Sequence, residues 1–347
     1  MALLALQAVT PAALTAAVPA CTLAEARKVV AMVHRGEPVA PSSAVRRSAA
    51  QAVAAAGHVP ALVIRKQASS AVDPFQKLLL ELPDGARIET VRIPLEHPGR
   101  VTVCVSSQVG CALACAFCAT GRMGLRRNLE TWEIVEQVRV VRAGLEPGRR
   151  VHGVVFQGMG EPMANLDRVL EAIAVMQEPC ALGIDARAIT VCTSGHPVGI
   201  RRLAREAPKV RLGLSIASAR PDVRRSLMPI DRAHPLDDVL AAAVEHARLT
   251  GLAPMWAVTL LAGVNDSADD ARALAVRVRA FAAEAGVTPR LSLIPYNAIG
   301  DDDPFARADE AASAAYRGVL ADAGLASHGR YSGGGDIAAA CGQLAAR

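Results

Sequence analysis

The chain has 347 residues, 52% hydrophobic but only 3% aromatic, enough for a large core packed mainly by Ala, Val, Leu and Ile. Its formal net charge is +5, carried almost wholly by arginine, with lysine only at Lys28, Lys66, Lys77 and Lys209; this permits a polyanionic partner without demanding one. The apolar start Met1–Ala20 lacks a basic cluster and is broken by Pro11 and Pro19. That argues against a signal peptide or a membrane span, and no other stretch is long and apolar enough, so a cytoplasmic protein with no membrane partner is expected.

Residues 1–75 are Ala-rich and mostly helical in pattern. Thr22 is placed to cap a helix over Leu23–His34, with Glu25 in its first turn. A break at Pro38–Ser43 precedes a second helix over Ala44–Ala56. Residues 76–93 alternate as a hairpin, Lys77–Glu81 and Ile88–Ile93 around a Pro83-Asp84-Gly85 turn. From Val101 the pattern changes. Strands are predicted at Val101–Val105, Gly153–Phe156, Ala188–Cys192, Arg211–Ser215, Trp256–Leu261 and Arg290–Ile294. Amphipathic helices fall at Thr131–Arg142, Leu166–Met176, Val198–Arg205, Leu236–Leu249, Ala268–Ala285 and Ala308–Ala323. Six such units predict an α/β fold with a parallel sheet, as a partial barrel or an open wound sheet, with its site at the C-terminal strand ends.

There are eight cysteines: Cys21, Cys104, Cys111, Cys115, Cys118, Cys180, Cys192 and Cys341. In a reducing compartment, clustered cysteines point to metal or redox chemistry rather than a disulfide framework. Cys111, Cys115 and Cys118, spaced C-x3-C-x2-C directly after the first of those strands, are soft ligands for an iron–sulfur cluster or zinc. Three thiolates leave one corner of a cubane open. Structural zinc would want a fourth ligand, and the nearest candidates are Cys104 before and His152 well after.

The spacing is the radical S-adenosylmethionine (SAM) signature. The runs Val105–Gln108, Gly110-Cys111-Ala112, Phe117–Gly121, Arg127-Asn128-Leu129, Gln157–Pro162, Thr193-Ser194-Gly195, Leu227–Ile230, Gly263–Ser267, Ile294–Asn297 and Asp336–Leu344 together resemble the RlmN/Cfr family. The likeness is collinear from about residue 76. It implies a partial (β/α)6 barrel over 101–325. Around this lie a helical accessory domain over 1–75, a hairpin and linker over 76–100, and a tail over 326–347.

The resemblance further implies a [4Fe–4S] cluster on Cys111, Cys115 and Cys118. It implies SAM bound by Gly160, Glu161, Ser194, Ser215, Ile216, Ala217 and Asn297. Cys341, otherwise a small residue of a C-terminal helix, resembles the family's methyl-carrying cysteine. Cys104, otherwise a buried strand residue, resembles the resolving cysteine. Glu89, otherwise a hairpin surface charge, resembles the general base. Cys21, Cys180 and Cys192 match no such position.

By the family mechanism one SAM methylates Cys341, and a second is cleaved to a radical that takes a hydrogen from the S-methyl group. The methylene radical then adds to an RNA adenine. Glu89 removes the ring proton, and Cys104 attacks the Cys341 sulfur to release product with a disulfide. The implied partners are 23S rRNA, possible tRNA substrates, and an electron donor such as flavodoxin or ferredoxin; a monomer is expected. Gly333-Gly334-Gly335 reads as a hinge giving Cys341 mobility. Arg122, Arg126, Arg127, Arg201, Arg202, Arg220, Arg224 and Arg225 fall after the strands, where they are expected to meet phosphate.

Two positions depart from the family pattern: Ala217 stands where histidine is expected, and the tail at 330–335 carries fewer basic residues. Three readings follow. One is an adenine-C2 methyltransferase. The second is a C8 (Cfr-type) sister enzyme or one with another RNA. The third is a non-catalytic iron–sulfur or zinc RNA-associated protein, disfavoured by the conjunction of Glu89, Cys104 and Cys341.

Overall fold

The computed structural model describes residues 3–300 and 302–346. Its centre is a ten-stranded sheet whose strands lie side by side in chain order. We number them β1 (Val63–Ser69), β2 (Gln76–Glu81), β3 (Arg87–Pro94), β4 (Arg100–Cys104), β5 (Arg150–Phe156), β6 (Ile189–Thr193), β7 (Arg211–Ser215), β8 (Met255–Leu260), β9 (Arg290–Pro295) and β10 (Ser327–Gly329). From β4 to β10 every pairing is parallel, and β1 to β4 pair antiparallel. The order never reverses. With right-handed crossovers, all the helices therefore fall on one face, and the sheet curls as a partial barrel rather than a doubly wound layer.

The crossover helices Thr131–Ala143, Leu166–Gln177, Pro197–Glu206, Leu236–Thr250, Ala268–Ala285 and Glu310–Asp322 pack on their neighbours outside the barrel. Their apolar stripes and both faces of the short strands form the main core, with Phe156, Ile134, Ile173 and Trp256 fully buried. None of the described helices is long and apolar enough to cross a membrane.

The N-terminal helices carry their own apolar cluster, around Leu14, Val29, Val30, Val33 and Val53. Helix Leu23–Arg35 starts in a reciprocal capping box: the Glu25 amide donates to Thr22 Oγ1 at 3.3 Å, and the Thr22 amide to Glu25 Oε2 at 2.9 Å. It ends at Gly36 in the left-handed region. The unit is tied to the barrel where Arg139 donates to the Val33 carbonyl at 2.8 Å and Arg142 donates to the His34 carbonyl.

Four features differ from the sequence expectation. Residues 63–69, assigned to a helical stretch, form edge strand β1. A short antiparallel ribbon, Gln108–Cys111 with Gly124–Asn128, brackets the cysteine loop. The tail contributes a seventh parallel strand, β10. Cys341 lies in a turn, not in a helix.

Candidate active site

The chain leaves β4 at Cys104 and runs through Ser106, Ser107 and Gln108 before reaching the cysteines. That segment is pinned on every side. Ser106 Oγ donates to the Glu89 carbonyl at 2.6 Å, and Gln137 bridges the Ser106 amide and carbonyl at 2.8 and 2.9 Å. The Ser107 amide donates to the Met159 carbonyl at 2.8 Å, and Gln108 Oε1 accepts from the Glu161 amide at 2.8 Å. The glycines of Gly158-Met-Gly160-Glu161 serve this contact. A Cβ on Gly158 would meet the Val105 carbonyl at 2.7 Å; one on Gly160, at φ +98°, would meet Gln108 Cβ at 2.5 Å. They let the loop after β5 press on the strand that leads to the cysteines.

Cys111 and Cys115 are buried and Cys118 is half-buried; all eight cysteines are free thiols. Burial pushes the Cys111 thiol up to about 11 and the Cys115 thiol up to about 12, with neighbouring negative charge adding to both. Among the described residues, no three Cys, His, Asp or Glu side chains converge on a single-ion site.

Cys115 and Cys118 open onto a cavity at the C-terminal ends of the strands. Gly160, Glu161, Ser194, Ser215, Ala217, Cys192 and Cys341 also line it. Glu161 is buried, and burial raises its pKa; its carboxylate ties two loops together, accepting from the Met163 amide at 3.0 Å and the Ser194 amide at 2.9 Å. Ala217 takes a left-handed φ of 56°, held by Asn265, which donates to its carbonyl at 2.7 Å.

Three of the residues expected to hold the cluster or SAM are not on the lining. Cys111 is buried off the lining, although Cys115 and Cys118 of the same loop border the cavity. Ile216 contributes a carbonyl that accepts from Arg224. Asn297 turns to the tail, donating to Ser332 Oγ at 2.7 Å and the Cys341 carbonyl at 3.3 Å, and accepting from Arg307 at 2.7 Å.

A smaller adjoining cavity shares Cys118, Gln157 and Cys341 and adds Cys104 and Arg330. The tail is seated directly on the cysteine loop: the Ala119 amide donates to the Gly342 carbonyl at 2.8 Å, and Thr120 Oγ1 to the Leu344 carbonyl at 2.6 Å. Burial, then the nearby Cys341, pushes the Cys104 thiol up to about 12. Arg330 donates to Gln157 Oε1 at 3.1 Å and lies near Cys341, Cys192 and Cys104, which hold its charge more firmly.

Glu89 is in neither cavity. It is fully buried on β3, paired with Lys77 at 2.8 Å, and reaches a separate opening beside Ala298, Gly300, Gln343 and Ala345. The triple glycine is not a free hinge. A Cβ on Gly333 would strike the Phe75 ring at 2.4 Å, while the Gly334 amide and the Tyr331 hydroxyl each donate to Asp73 at 2.9 Å.

The arginines expected to meet phosphate mostly have carboxylate partners. Arg127 binds Glu133 and Asp84, Arg201 binds Glu245, Arg202 binds Asp167 and Glu206, and Arg220 pairs with Asp222 and Asp270. Arg122, Arg126 and Arg225 stand 3.5 to 3.7 Å from Asp303, Asp84 and Asp231. Arg224, 0% exposed, cannot reach a phosphate at all. It donates to the carbonyls of Ser194 at 2.7 Å and Ser215 at 2.9 Å, and pairs with Asp231 at 3.0 Å, gathering the loop ends after β6 and β7. Cys192, which matches no family position in the sequence, lines the larger cavity; its one signal was its position at the end of a strand.

The radical SAM superfamily model matches residues 105–274. A Sorangium cellulosum protein named a probable RNA methyltransferase is 58% identical, over 93% of this chain and 88% of its own length. A probable dual-specificity RNA methyltransferase RlmN of Moorella thermoacetica is 38% identical, over 92% and 90%. The crystal structure of a radical SAM methyltransferase from Sphaerobacter thermophilus superposes with a TM-score of 0.88 at 34% identity, covering 99% of this chain and all of that one. The chain belongs to the RlmN-like radical SAM methyltransferases.

Enzymes of the RlmN-like family use a [4Fe–4S] cluster and SAM. The residues present fit both: three free, soft thiol ligands lie in a pinned loop, and two of them open onto a cavity at the strand ends.

Proposed function

We propose that the chain methylates C2 of an adenosine in 23S rRNA, and in tRNA, through an S-methyl group carried on Cys341. The observation that carries this reading is the meeting of Cys104 and Cys341, from opposite ends of the barrel sequence, on one small cavity beside Cys118. Binding alone needs no such pair. Cys111, Cys115 and Cys118 would hold the cluster, and Gly160, Glu161, Ser194, Ser215 and Ala217 would seat SAM, with Ile216 and Asn297 shaping the loops behind. When bound, cluster and SAM supply the methyl group and the one-electron chemistry that an unactivated ring carbon requires.

The chain's own residues do the rest. Cys341 faces both cavities, so one sulfur can meet the methyl donor and then the substrate. Glu89 takes the ring proton. Cys104 attacks the Cys341 sulfur and displaces the product carbon, which gains a proton, leaving a Cys104–Cys341 disulfide for an external reductant. Arg330 sits where it offsets the thiolate charge that this attack needs. A low-potential donor such as flavodoxin or ferredoxin, action as a monomer and a cytoplasmic setting complete the proposal.

The test is anaerobic methylation of RNA with nucleoside mass spectrometry. 2-Methyladenosine, a methyl group on Cys341, and loss of product in Cys341→Ala are expected. 8-Methyladenosine overturns the C2 assignment, and product from Cys341→Ala overturns the carrier.

A further inference from the structure

Glu89 stands in an arrangement that its role as a base does not explain. It lies on β3 diagonal to Lys77 on β2, where Leu79 and Val91 are their direct partners. Both side chains are buried, at 10% exposure for Lys77 and 0% for Glu89. Glu89 Oε1 accepts no hydrogen bond among the described residues and lies 2.8 Å from Lys77 Nζ. A buried ion pair needs further hydrogen bonds to satisfy its remaining donors and acceptors, and among the described residues those that this pair makes come from the tail. Lys77 Nζ donates to the Ala338 carbonyl at 3.1 Å, and Glu89 Oε2 accepts from the amides of Ala345 at 2.8 Å and Ala346 at 3.2 Å. One ion pair thus grips both ends of the 338–346 loop, and Cys341 sits between the two grips.

We propose that Lys77 is a positioning residue whose ion pair with Glu89 clasps both ends of the 338–346 loop, seating Cys341 while Glu89 is occupied. Glu89 becomes free to take a proton only as residues 345–346 lift away. The proposal rests on the assignment of Cys341 as carrier and Glu89 as base. Its logic is competition for one carboxylate. Oε1 holds Lys77 and Oε2 holds two amides, so a substrate proton can be accepted only by displacing the tail end. The opening lined by Gln343, Ala345 and Gly300 reaches Glu89 at that point. Because coupling is reciprocal, whatever engages Glu89 loosens the seat of Cys341, and a seated Cys341 keeps Glu89 occupied. The carrier is thereby held at the SAM side until substrate arrives at the base.

The test uses the full-length holoenzyme, prepared anaerobically, with two readouts besides turnover: hydrogen exchange across 338–346 and the rate of iodoacetamide labelling at Cys341, read on its peptide. In Lys77→Met both rise on the order of 10-fold while exchange in β5 to β9 stays unchanged, because breaking a buried pair opens the segment it holds. Lys77→Arg, which keeps the cation, restores slow labelling; a merely space-filling lysine would not show this rescue. Should Lys77→Met fail to fold, Lys77→Met with Glu89→Leu removes both charges together, with the same outcomes expected.

In the unaltered protein the Ala345 and Ala346 amides exchange more slowly than the exposed amide of Glu96. Exchange at the Glu96 rate, or unchanged Cys341 labelling in a folded variant, overturns the clasp. Absence of a methyl group on Cys341 overturns the carrier assignment instead, and leaves the exchange and labelling results unaffected.

Discussion

Replacing Arg224 by methionine removes a guanidinium from a site with no access to water. Two losses follow. Asp231, itself 2% exposed, keeps only the Leu236 amide at 3.1 Å and the distant, half-exposed Arg225; stranding one member of a buried pair costs about 3–5 kcal/mol. The Ser194, Ser215 and Ile216 carbonyls also lose a charged donor, at about 1 kcal/mol each. Arg224→Met is therefore expected to lose about 7 kcal/mol, a fall in Tm of roughly 14 °C at about 2 °C per kcal/mol for a chain this long. Adding Asp231→Leu removes the stranded charge but not the unpaired carbonyls, so the double variant should recover to a loss of about 3 kcal/mol. Thermal denaturation by circular dichroism measures both, and equilibrium dialysis shows whether SAM affinity falls with the loosened β6 and β7 loops. A single variant that melts within 2 °C of the parent, or a double variant less stable than the single, refutes the reasoning.

Three other outcomes are expected. His34 and His246 are buried, His246 with neither ring nitrogen hydrogen-bonded among the described residues, and burial, aided at His34 by Arg139 and Arg142, lowers their pKa values to about 3 and about 4. Each folded value is depressed below the unfolded one, so stability is complete above pH ~6.5 and is lost as pH falls, at about 1.4 kcal/mol per pH unit per histidine between ~6.5 and the folded pKa; urea titrations of His34→Leu with His246→Leu should show that slope flattened. Gly160→Ala, which forces a Cβ onto Gln108 at a left-handed φ, should cost about 2 kcal/mol or more and abolish SAM binding in the same dialysis assay. Ala217→Gly relieves a left-handed alanine and should raise stability by about 1 kcal/mol; no gain in Tm would show that the conformation is unstrained.

The barrel was legible because β4 to β9 are short apolar runs buried on both faces and separated by amphipathic helices, a pattern that needs no long-range information. Strand β1 was not. Its Val63 and Ile64 are exposed, a register irregularity falls between Ile64 and Lys66, and an Ala-rich helical stretch precedes it. The Gly333–Gly335 run looked flexible because composition cannot show that Phe75, far back in the chain, fills the space a side chain would need. The arginines looked like a phosphate surface because sequence shows the cation and not the acid that meets it: Asp84 for Arg127 and Glu245 for Arg201 come from distant elements. The motifs that led to the site were local runs. What joins them, Arg224 across two strand ends and Glu89 to the tail, is made by contacts between segments remote in sequence.

Strand order that follows chain order has a consequence for synthesis. Each strand from β2 onward can dock on the one made just before it, so the sheet can extend as the chain leaves the ribosome. The loop around Cys341 breaks this habit. It returns across more than two hundred residues to Lys77, Glu89 and Thr120. Under the carrier role proposed for Cys341, a chain arrested shortly after β10 would carry a nearly finished barrel without the sulfur that takes the methyl group. On that proposal competence for chemistry arrives in a single late step, well after the scaffold, so a partly made molecule can bind the methyl donor without spending it.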